Sequence, residues 1–527
     1  MIYFPTLNDL LGVGEMQINV LEYLEKTVEK YPDKVAFTDG TYGLTFKEVS
    51  QRAKAVGTFV AGKVKQNNPV TVCMKKSPET IAAMFGAVYG GCYYIPMDVD
   101  TSIHRIEIIL ETVKPEIIIC DDIMLEVLDE LGEKHNIYKY DEVIKTPVDD
   151  AKLQKIRSKA IDLDPVYCVF TSGSTGNPKG VLCSHRNVID YIENISTVLG
   201  YDSDSVFGNQ APLTFDASLK DIYPTIKFGA TTHIIPKGLF SFPLKLIEYL
   251  IKNDINTINW VGSMLASVSA CGTFDEIIPK QLRLVNNGGE TFPMTQFLKW
   301  KAALPDTVFV NTYGPTEITG SICYYIAERD FSPDELLPIG HSYPNSTVFL
   351  LDENNRLIEP GDTKTCNATP SELGEICVKG ASLALGYLGD FEKTNQAFTK
   401  NPLNTTYPEL IYRTGDFGRY NNYGELVFVT RKDNQIKHMG HRLELGEIDA
   451  AVSKAQNVQS VCTVFIKETD RLILFYTGSA EQDDIKAYIE KKLPRYMKPY
   501  KIIKLDEMPL GSSGKINRLE LEQKVKG

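Results

Sequence analysis

Short apolar runs alternate with helical stretches through most of the chain, and this alternation is the feature that most restricts its fold. In the first quarter of the chain the apolar runs are PVTVCM (69–74), CYYIPM (92–97) and EIIIC (116–120). Successive βα units of this kind place parallel strands side by side and cover the sheet with helices. The same alternation returns near 205–235, 243–262 and 283–311. We therefore expect an α/β fold built on parallel sheets.

Other segments have the patterns of antiparallel structure. Residues 35–46 (VAFTDGTYGLTF) alternate and contain Asp-Gly, which predicts a hairpin, and residues 347–358 and 424–431 also look like hairpin strands. The C-terminal part, 444–527, predicts a compact unit of two helices and three strands. A chain of 527 residues exceeds one compact core, so we expect two or more domains.

Composition and charge exclude several classes of function. The formal net charge of −12 opposes binding to nucleic acid, because a polyanion would be repelled. The 10 cysteines form no CxxC pair and no cluster with histidine, so the sequence predicts neither a zinc site nor a thioredoxin-type motif. The first residues lack the basic start and apolar stretch of a secretory signal, and no run of about 18 apolar residues could span a membrane. We therefore expect a cytoplasmic protein.

The segment FTSGSTGNPKG (170–180) follows the apolar run VYCVF and has the composition of a phosphate-binding loop. Its glycines permit a ligand to approach the backbone closely. Its amides and hydroxyls can converge on phosphate oxygens, and Lys179 could neutralise one of them. The spacing is not that of a Walker loop, GxxxxGK[ST]. The segment therefore predicts a phosphate site of another kind after a buried strand.

Eight further segments occur in a fixed order around this loop. They are LTFKEV (44–49), YGGCYYIPMD (89–98), FDAS (215–218), NTYGPTE (311–317), GEICVKG (374–380), YRTGDFGRY (412–420), DNQIKHMGHRLELGEID (433–449) and GSSGKINR (511–518). Together they resemble the signature of the adenylate-forming superfamily, which includes acyl-CoA synthetases, luciferases and the amino-acid adenylation domains of nonribosomal peptide synthetases. The resemblance covers essentially the whole chain.

This resemblance implies a fold and a chemistry. It implies a large N-terminal core domain (1–432) of parallel βα sheets plus a small barrel, followed by a small mobile α+β lid domain (433–527). It also implies that ATP and Mg²⁺ are used, with a carboxylate attacking the α-phosphate while pyrophosphate leaves. Because this step crowds negative groups together, the protein must supply positive charge, a divalent cation and positioning.

The resemblance assigns the phosphate and metal contacts to two segments. Glu317 is similar to the family's Mg²⁺ ligand, a role that suits a hard oxygen donor. Thr316 beside it would reach the α-phosphate. The β- and γ-phosphates would be held by Thr171, Ser172, Thr175 and Lys179.

The nucleoside contacts come from other segments. Asp416 would accept hydrogen bonds from both ribose hydroxyls, supported by Arg431, because a carboxylate is a good bidentate acceptor for a diol. Tyr313 would stack on adenine. The full predicted ATP-binding set is Thr171, Ser172, Gly173, Ser174, Thr175, Lys179, Gly288, Gly289, Glu290, Asn311, Tyr313, Gly314, Asp416, Arg431 and Lys515.

The resemblance also implies that the small C-terminal domain moves relative to the core domain. Lys515 would bridge the substrate carboxylate and the α-phosphate, offsetting their repulsion. Asp433 would be the hinge about which the small domain swings between two poses. One pose brings Lys515 into the site, and the other presents the loop around Gly440 to a pantetheine thiol.

Asp216 in FDAS favours an amino acid as the substrate. Amino-acid-activating members of the family place an aspartate here to pair with the α-ammonium, and a buried carboxylate needs such a partner. Lys220 would face the same pocket and needs an anion, either Asp216 itself or a carboxylate on the substrate. We favour glutamate, followed by aspartate or another polar amino acid. By motif matching, the pocket is lined by Phe215, Asp216, Ala217, Lys220, Ser263, Val285, Asn287, Thr312, Gly320 and Ser321.

The predicted function is therefore adenylation of an amino acid, with transfer to the phosphopantetheine thiol of a peptidyl carrier protein in nonribosomal peptide synthesis. Its predicted catalytic residues are Lys515, Thr316 and Glu317. The alternatives are an acyl- or aryl-acid:CoA ligase, which generally lacks Asp216, and a D-alanine:carrier protein ligase, which needs a small apolar pocket. A catalytically inactive scaffold would have no chemical need for the predicted ATP-site residues. A stand-alone enzyme and a piece of a larger synthetase both remain open.

Overall fold

The computed structural model of the protein describes residues 17–131, 136–171, 178–360, 370–431, 435–509 and 516–526. The helices are α1 Leu21–Lys30, α2 Phe46–Val60, α3 Pro78–Tyr89, α4 Ile103–Val113, α5 Asp122–Asp129, α6 Tyr140–Val143, α7 Asp150–Arg157, α8 His185–Leu199, α9 Leu219–Phe228, α10 Pro243–Lys252, α11 Gly262–Ala270, α12 Met294–Ala303, α13 Phe391–Ala397, α14 Leu445–Val452, α15 Gln482–Lys492 and α16 Arg518–Lys526.

The strands are β1 Val35–Thr38, β2 Gly43–Thr45, β3 Pro69–Cys73, β4 Tyr93–Met97, β5 Ile118–Cys120, β6 Ile137–Lys139, β7 Pro165–Thr171, β8 Lys179–Ser184, β9 Val206–Asn209, β10 Thr231–Ile234, β11 Thr257–Trp260, β12 Leu284–Gly288, β13 Val308–Tyr313, β14 Cys323–Ile326, β15 His341–Ser342, β16 Ser346–Leu351, β17 Leu357–Ile358, β18 Gly374–Gly380, β19 Gly386–Tyr387, β20 Phe398–Lys400, β21 Leu410–Tyr420, β22 Leu426–Arg431, β23 Gln435–His438, β24 His441–Glu444, β25 Val458–Ile466, β26 Arg471–Gly478 and β27 Lys501–Lys504.

Two largely parallel sheets form the main body, as the alternating sequence pattern predicts. The nine-stranded sheet has the order β15-β14-β13-β12-β11-β9-β10-β1-β2 and is parallel from β13 to β1. The seven-stranded sheet has the order β19-β8-β7-β4-β3-β5-β6 and is parallel from β7 to β6. Because β7 and β8 are antiparallel neighbours, the predicted phosphate loop connects two adjacent strands. The predicted hairpin at 35–46 is confirmed as the antiparallel pair β1 and β2.

The main hydrophobic core joins the two sheets through the helices between them. It includes Phe37 of the larger sheet, Val70 of the smaller sheet, and Phe85, Ile192 and Ile222 from α3, α8 and α9. A second core covers the other face of the larger sheet and is centred on α11 and α12. Helices on both faces of a parallel sheet explain why its strands are apolar on both sides.

The remaining strands form smaller units. An antiparallel sheet contains β17-β16-β18-β21-β20, with β22 paired to β21. The C-terminal part contains the β23–β24 hairpin and the β25-β26-β27 sheet, packed with α14 and α15 around a core of their own. None of the helices in the described part of the chain combines the length and apolar character that a bilayer crossing requires.

Candidate active site

Lys179 and Glu317 meet in a buried ion pair, although they belong to different sheets. Lys179 opens β8 of the seven-stranded sheet, and Glu317 lies in the short helical turn Thr316–Ile318 between β13 and β14 of the nine-stranded sheet. The Lys179 Nζ lies 3.2 Å from Glu317 Oε1, and Glu317 is fully buried. The Tyr387 hydroxyl donates to the same carboxylate oxygen at 2.8 Å. The structure thus brings together the lysine predicted to bind phosphate and the glutamate predicted to bind the metal.

The donor set at Glu317 fits a Mg²⁺ ion that is bound together with nucleotide phosphates. Mg²⁺ in such sites takes one or two carboxylates and completes its shell with phosphate oxygens and water. Among the described residues, no group of three or more His, Cys, Asp or Glu side chains could hold a metal. A metal bound at Glu317 would share its coordination shell with oxygens of the nucleotide.

A cleft of about 530 Å³, part of it open to solvent, lies at the carboxyl ends of β12 and β13. Its walls include the backbone around Gly289 and Glu290, the rings of Tyr313 and Phe428, and the side chain of Ile339. Gly289 has φ +89, a conformation that favours glycine. Flat apolar walls with a polar strand edge suit a purine base, and Asn311 also lines this cleft.

Asp416 lies beside this cleft and is 2% exposed. The Tyr313 hydroxyl donates to its Oδ2 at 2.5 Å, and the Arg431 guanidinium pairs with its Oδ1. The backbone amide of Asp416 donates to Thr414 Oγ1 at 2.9 Å, which fixes the local backbone. Asp416 and Arg431, which are predicted to bind the ribose, therefore contact Tyr313, which is predicted to stack on adenine.

Asp216 and Lys220 lie one helical turn apart at the start of α9. Burial raises the pKa of Asp216 to about 6, although the charge of Lys220 and a hydrogen bond from Thr316 both lower it. Lys220 is 5% exposed, and burial lowers its pKa. Within the described part of the chain, no acceptor lies within hydrogen-bond distance of its ammonium, and the carboxylates that influence it are Asp221 and Asp216.

A buried polar network, which sequence reasoning missed, lies beneath Lys220. Asp221 is 1% exposed and accepts hydrogen bonds from the amides of Asn209 at 2.6 Å and Asn259 at 2.7 Å. Asn286 donates to Asn259 at 2.9 Å and accepts from Thr312 at 3.1 Å. The asparagines within the apolar strands TINW and LVNNG were the sequence signal for this network, because polar side chains in a buried strand need hydrogen-bond partners.

The charge of Lys76 also acts on the Asp221 carboxylate. The Lys76 ammonium donates to the carbonyl of Gln210 at 3.2 Å, and burial lowers its pKa to about 8. Burial raises the pKa of Asp221 to about 6, while the charges of Lys220 and Lys76 lower it. Two ammonium groups, Lys220 and Lys76, therefore share the Asp221 carboxylate, and Asp216 is the second carboxylate that acts on Lys220.

The predicted pocket residues fall into two groups, because neighbouring side chains on a strand point to opposite faces. Val285 packs into the core on the α11 side, and the Asn287 amide donates to Asn311 at 2.7 Å and to the carbonyl of Glu290 at 3.0 Å. The amide of Ser263 also donates to Glu290, at 2.9 Å. The structure therefore brings Ser263, Val285 and Asn287 to the Glu290 side of the sheet.

The other pocket residues lie on the Lys220 side. A Cβ on Gly288 would lie 2.7 Å from both Lys220 Nζ and Thr312 Oγ1. A Cβ on Gly320 would lie 2.7 Å from the ring of Tyr191, and Ser321 Oγ lies 3.3 Å from the Tyr191 hydroxyl. Tyr191, which motif matching did not include, therefore packs against the predicted pocket residues Gly320 and Ser321.

Two further predicted residues act through their backbones. A Cβ on Gly314 would lie 2.6 Å from the Gly320 carbonyl oxygen, so only glycine fits there. The backbone amide of Ala217 hydrogen-bonds the Asp216 carboxylate and lowers its pKa. Both contacts hold the backbone on which Asp216 and Gly320 are presented.

The β23–β24 hairpin of the C-terminal part contacts this site directly. The amide of Gly440 donates to Glu290 Oε1 at 2.7 Å. The ring of His441 stacks on Tyr496 with centroids 3.7 Å apart and meets Phe215 edge-on at 4.6 Å. Glu290 lines the nucleotide cleft and Phe215 precedes Asp216, so the loop touches both halves of the site.

A buried ion pair fixes this placement of the hairpin. Arg105 of α4 donates to Glu447 Oε1 of α14 at 2.6 Å, and both side chains are buried. A charged pair in this position joins the C-terminal part to the main body.

Several predicted residues have no described contacts. Ser172, Gly173, Ser174, Thr175, Asp433 and Lys515 lie outside the described residues. Thr171, at the end of β7, is buried, and within the described part of the chain its hydroxyl has no hydrogen-bond partner.

Comparison with known proteins identifies the family. The model of the AMP-binding enzyme family matches residues 24–388, more than half of the chain. The chain belongs to the AMP-binding enzyme family. Members of this family use ATP, and the Lys179–Glu317 pair and the cleft at Tyr313 are consistent with that use.

Two curated relatives match nearly the whole chain. Delta-poly-L-ornithine synthetase of Acinetobacter baumannii is 30% identical over 512 residues, which are 94% of this chain and 36% of that protein. D-alanine–D-alanyl carrier protein ligase of Bacillus licheniformis is 29% identical over 529 residues, 96% of this chain and all of the relative. The chain thus spans about a third of the first relative's length.

Solved structures share the fold. The adenylation domain AlmE of Vibrio cholerae, in complex with glycyl-adenosine-5′-phosphate, superposes with a TM-score of 0.81 at 21% identity, covering 98% of this chain and 99% of that one. The mixed α/β architecture of a large N-terminal domain and a smaller C-terminal domain is therefore that of adenylation domains.

The Asp416 arrangement predicts how the ribose contributes to nucleotide affinity. Asp416→Asn should weaken AMP binding about tenfold, because it replaces a charged acceptor by a weaker one. It should not weaken binding of 2′,3′-dideoxy-AMP comparably. Calorimetric titration of both nucleotides checks this, with Asp390→Asn, a surface helix cap, as the control. A variant that keeps the wild-type ratio of the two affinities would show that Asp416 does not bind the ribose.

Proposed function

We propose that the protein activates the carboxylate of an amino acid as an aminoacyl-adenylate and transfers it to the phosphopantetheine thiol of a carrier protein. One observation carries this proposal. Asp216 lies close enough to Thr316 and Glu317 for both side chains to influence the pKa of its carboxyl group. An α-ammonium bound at Asp216 would therefore place its own carboxylate close to the predicted phosphate site.

Each residue has a physical role in this proposal. Asp216 binds the ammonium, and Tyr313, Asp416 and Arg431 hold the nucleoside. Lys179, whose side chain is largely buried, offsets charge on the phosphates. Mg²⁺, held by Glu317 and the nucleotide, would supply further positive charge to the leaving pyrophosphate. Lys515 would complete the site.

Lys220 favours an acidic side chain on the amino acid, with glutamate first. Its ammonium is buried, and within the described residues it has no hydrogen-bond acceptor of its own. Asp221 does not satisfy it, because that carboxylate is held by two amides and is also balanced by Lys76. A buried cation left without a partner is costly, so a substrate carboxylate at this position would bind strongly.

A small neutral amino acid is the second candidate. The Lys220 side chain reaches across to Gly288 and Thr312, so it fills part of the pocket itself. The full-length match to a D-alanine–D-alanyl carrier protein ligase agrees with this alternative.

A substrate panel separates the candidates. We expect glutamate to give the fastest exchange of labelled pyrophosphate into ATP, and Lys220→Ala to slow that exchange about 100-fold, as expected for a lost charged hydrogen bond. The panel includes the common amino acids, D-alanine, and fatty and aryl acids. Lys237→Ala, which removes an exposed lysine that pairs with Asp100, is the control.

The other outcomes have defined meanings. If glycine or alanine is fastest, the enzyme class stands and Lys220 is a filler of the pocket. If only fatty or aryl acids react, the role given to Asp216 is wrong. If no acid supports exchange, the adenylation proposal itself fails.

The raised pKa of Asp216 predicts a pH dependence. The carboxyl group is charged above its pKa of about 6 and neutral below it. Because only the charged form attracts an α-ammonium, kcat/KM for the amino acid should fall about tenfold per pH unit well below pH 6. The KM for ATP should change much less, and Asp216→Asn should remove the acidic limb. Asp221→Asn is the control, and an acidic limb that disappears in that variant instead would assign the titration to Asp221.

The second step would use the C-terminal part as a lid, with residues 1–432 as the core domain, 433–527 as the lid and Asp433 as the hinge. In the described arrangement the Gly440 loop lies against Glu290 and Phe215. This supports a pose that serves thiol transfer, while Lys515 would serve adenylation in another pose. Reuse of one site by domain rotation is a known way to separate two reactions.

The position of His441 predicts a separation of the two half-reactions. His441→Ala removes the stacking on Tyr496 and the edge contact with Phe215. Aminoacyl transfer to free phosphopantetheine should fall about tenfold, whereas pyrophosphate exchange should change less than about twofold, because only the transfer pose uses this contact. His341→Ala, an exposed histidine on β15, is the control. An equal loss in both half-reactions would contradict the separate roles.

A further inference from the structure

The hydroxyl of Tyr387 joins the two charged residues at the phosphate site. It donates to Glu317 Oε1 at 2.8 Å and accepts from Lys179 Nζ at 3.3 Å. The direction of both bonds is fixed, because an ammonium has no acceptor and an ionised carboxylate has no donor. The Lys179 ammonium also lies 4.8 Å from the centre of the Tyr387 ring. Neither FTSGSTGNPKG, which contains Lys179, nor NTYGPTE, which contains Glu317, includes this tyrosine.

The backbone holds Tyr387 in this place from three sides. Tyr387 pairs with Val181 in the antiparallel ladder between β19 and β8, the strand that begins with Lys179. Three residues before Tyr387, the amide of Ala384 donates to the carbonyl of Glu317 at 2.9 Å. The amide of Tyr387 itself donates to Thr394 Oγ1 at 2.9 Å. The segment 384–387 therefore links β8, which begins with Lys179, to the turn that carries Glu317.

Glu317 and Lys179 cannot keep their mutual bond when a metal–nucleotide complex binds. A cation at Glu317 repels the Lys179 ammonium, while the phosphates attract it. A fully buried carboxylate that loses its partner is destabilised unless another donor remains. The neutral hydroxyl of Tyr387 is a donor that a metal does not repel, and the face of its ring is a second weak site for the ammonium.

We propose that Tyr387 is a positioning residue that keeps Glu317 oriented while Lys179 transfers from the carboxylate to the phosphates of Mg·ATP. This inference depends on the proposed roles of Glu317 and Lys179. Without the hydroxyl, Glu317 would lose the donor that orients its carboxylate toward the metal once Lys179 has moved to the phosphates. The variant should therefore weaken binding of Mg·ATP and leave binding of metal-free ATP nearly unchanged.

Tyr387→Phe tests the proposal, because it keeps the ring and its packing against Phe398 and removes only the hydroxyl. Calorimetric titration without amino acid, so that no turnover occurs, should give an affinity for Mg·ATP about tenfold weaker, as expected for a lost hydrogen bond to a charged group. Affinity for ATP in excess EDTA should stay within about twofold of the wild type, the size expected of a change that removes no contact. The control is Tyr23→Phe, which removes a 2.6 Å bond to Glu193 elsewhere.

A double-mutant cycle with Glu317→Gln separates this inference from the proposed function. Glu317→Gln should by itself abolish the preference for Mg·ATP, and Tyr387→Phe should then add nothing. If Glu317→Gln leaves the Mg²⁺ preference intact, the metal role of Glu317 is wrong and the proposed function loses that support. If Glu317→Gln abolishes it but Tyr387→Phe weakens both forms of ATP equally, Tyr387 has only a structural role and the inference is overturned.

Discussion

The ion pair between Lys179 and Glu317 is the contact on which the site depends, because it joins the two sheets at the cleft. Lys179 comes from the seven-stranded sheet, and Glu317 comes from a turn of the nine-stranded sheet. The main core fixes these sheets relative to one another through the helices between them. As a result, two charges that are distant in sequence are held at bonding distance before any nucleotide binds. Such preorganisation is the main way in which a protein stabilises developing charge.

Buried charge also shapes the amino-acid side of the site. Asp216, Asp221, Lys220 and Lys76 lie in or below the pocket, and hydrogen bonds from Asn209 and Asn259 satisfy Asp221. A network of this kind specifies geometry well only if each member is satisfied. Lys220 is the member that lacks an acceptor in the described part of the chain. We therefore expect the choice of substrate, rather than the choice of reaction, to be sensitive to Lys220.

The sequence predicted the class of fold and assigned Lys179 and Glu317 to the same nucleotide site, because the motifs occur in the order of a known family, but it did not predict their ion pair. It could not predict which face of the sheet Val285 and Asn287 occupy. Side chains alternate between the two faces of a strand, so the register of β12 decides that both point away from Lys220. Asp221 was missed although it follows Lys220 directly, because motif matching assigns positions and not hydrogen-bond partners. Tyr387 was missed because its two partners come from different sheets, which only the tertiary structure brings together.

The path of the carboxylate oxygen tests the central claim most directly. The protein would be incubated with ATP, hydroxylamine as the acceptor, and glutamate labelled with oxygen-18 in its carboxylates, and the nucleotide products would be examined by mass spectrometry. If the carboxylate attacks the α-phosphate, AMP will carry one labelled oxygen and pyrophosphate will carry none. Labelled inorganic phosphate together with ADP would instead show attack on the γ-phosphate, and would contradict the account of an adenylate-forming site built around Lys179 and Glu317.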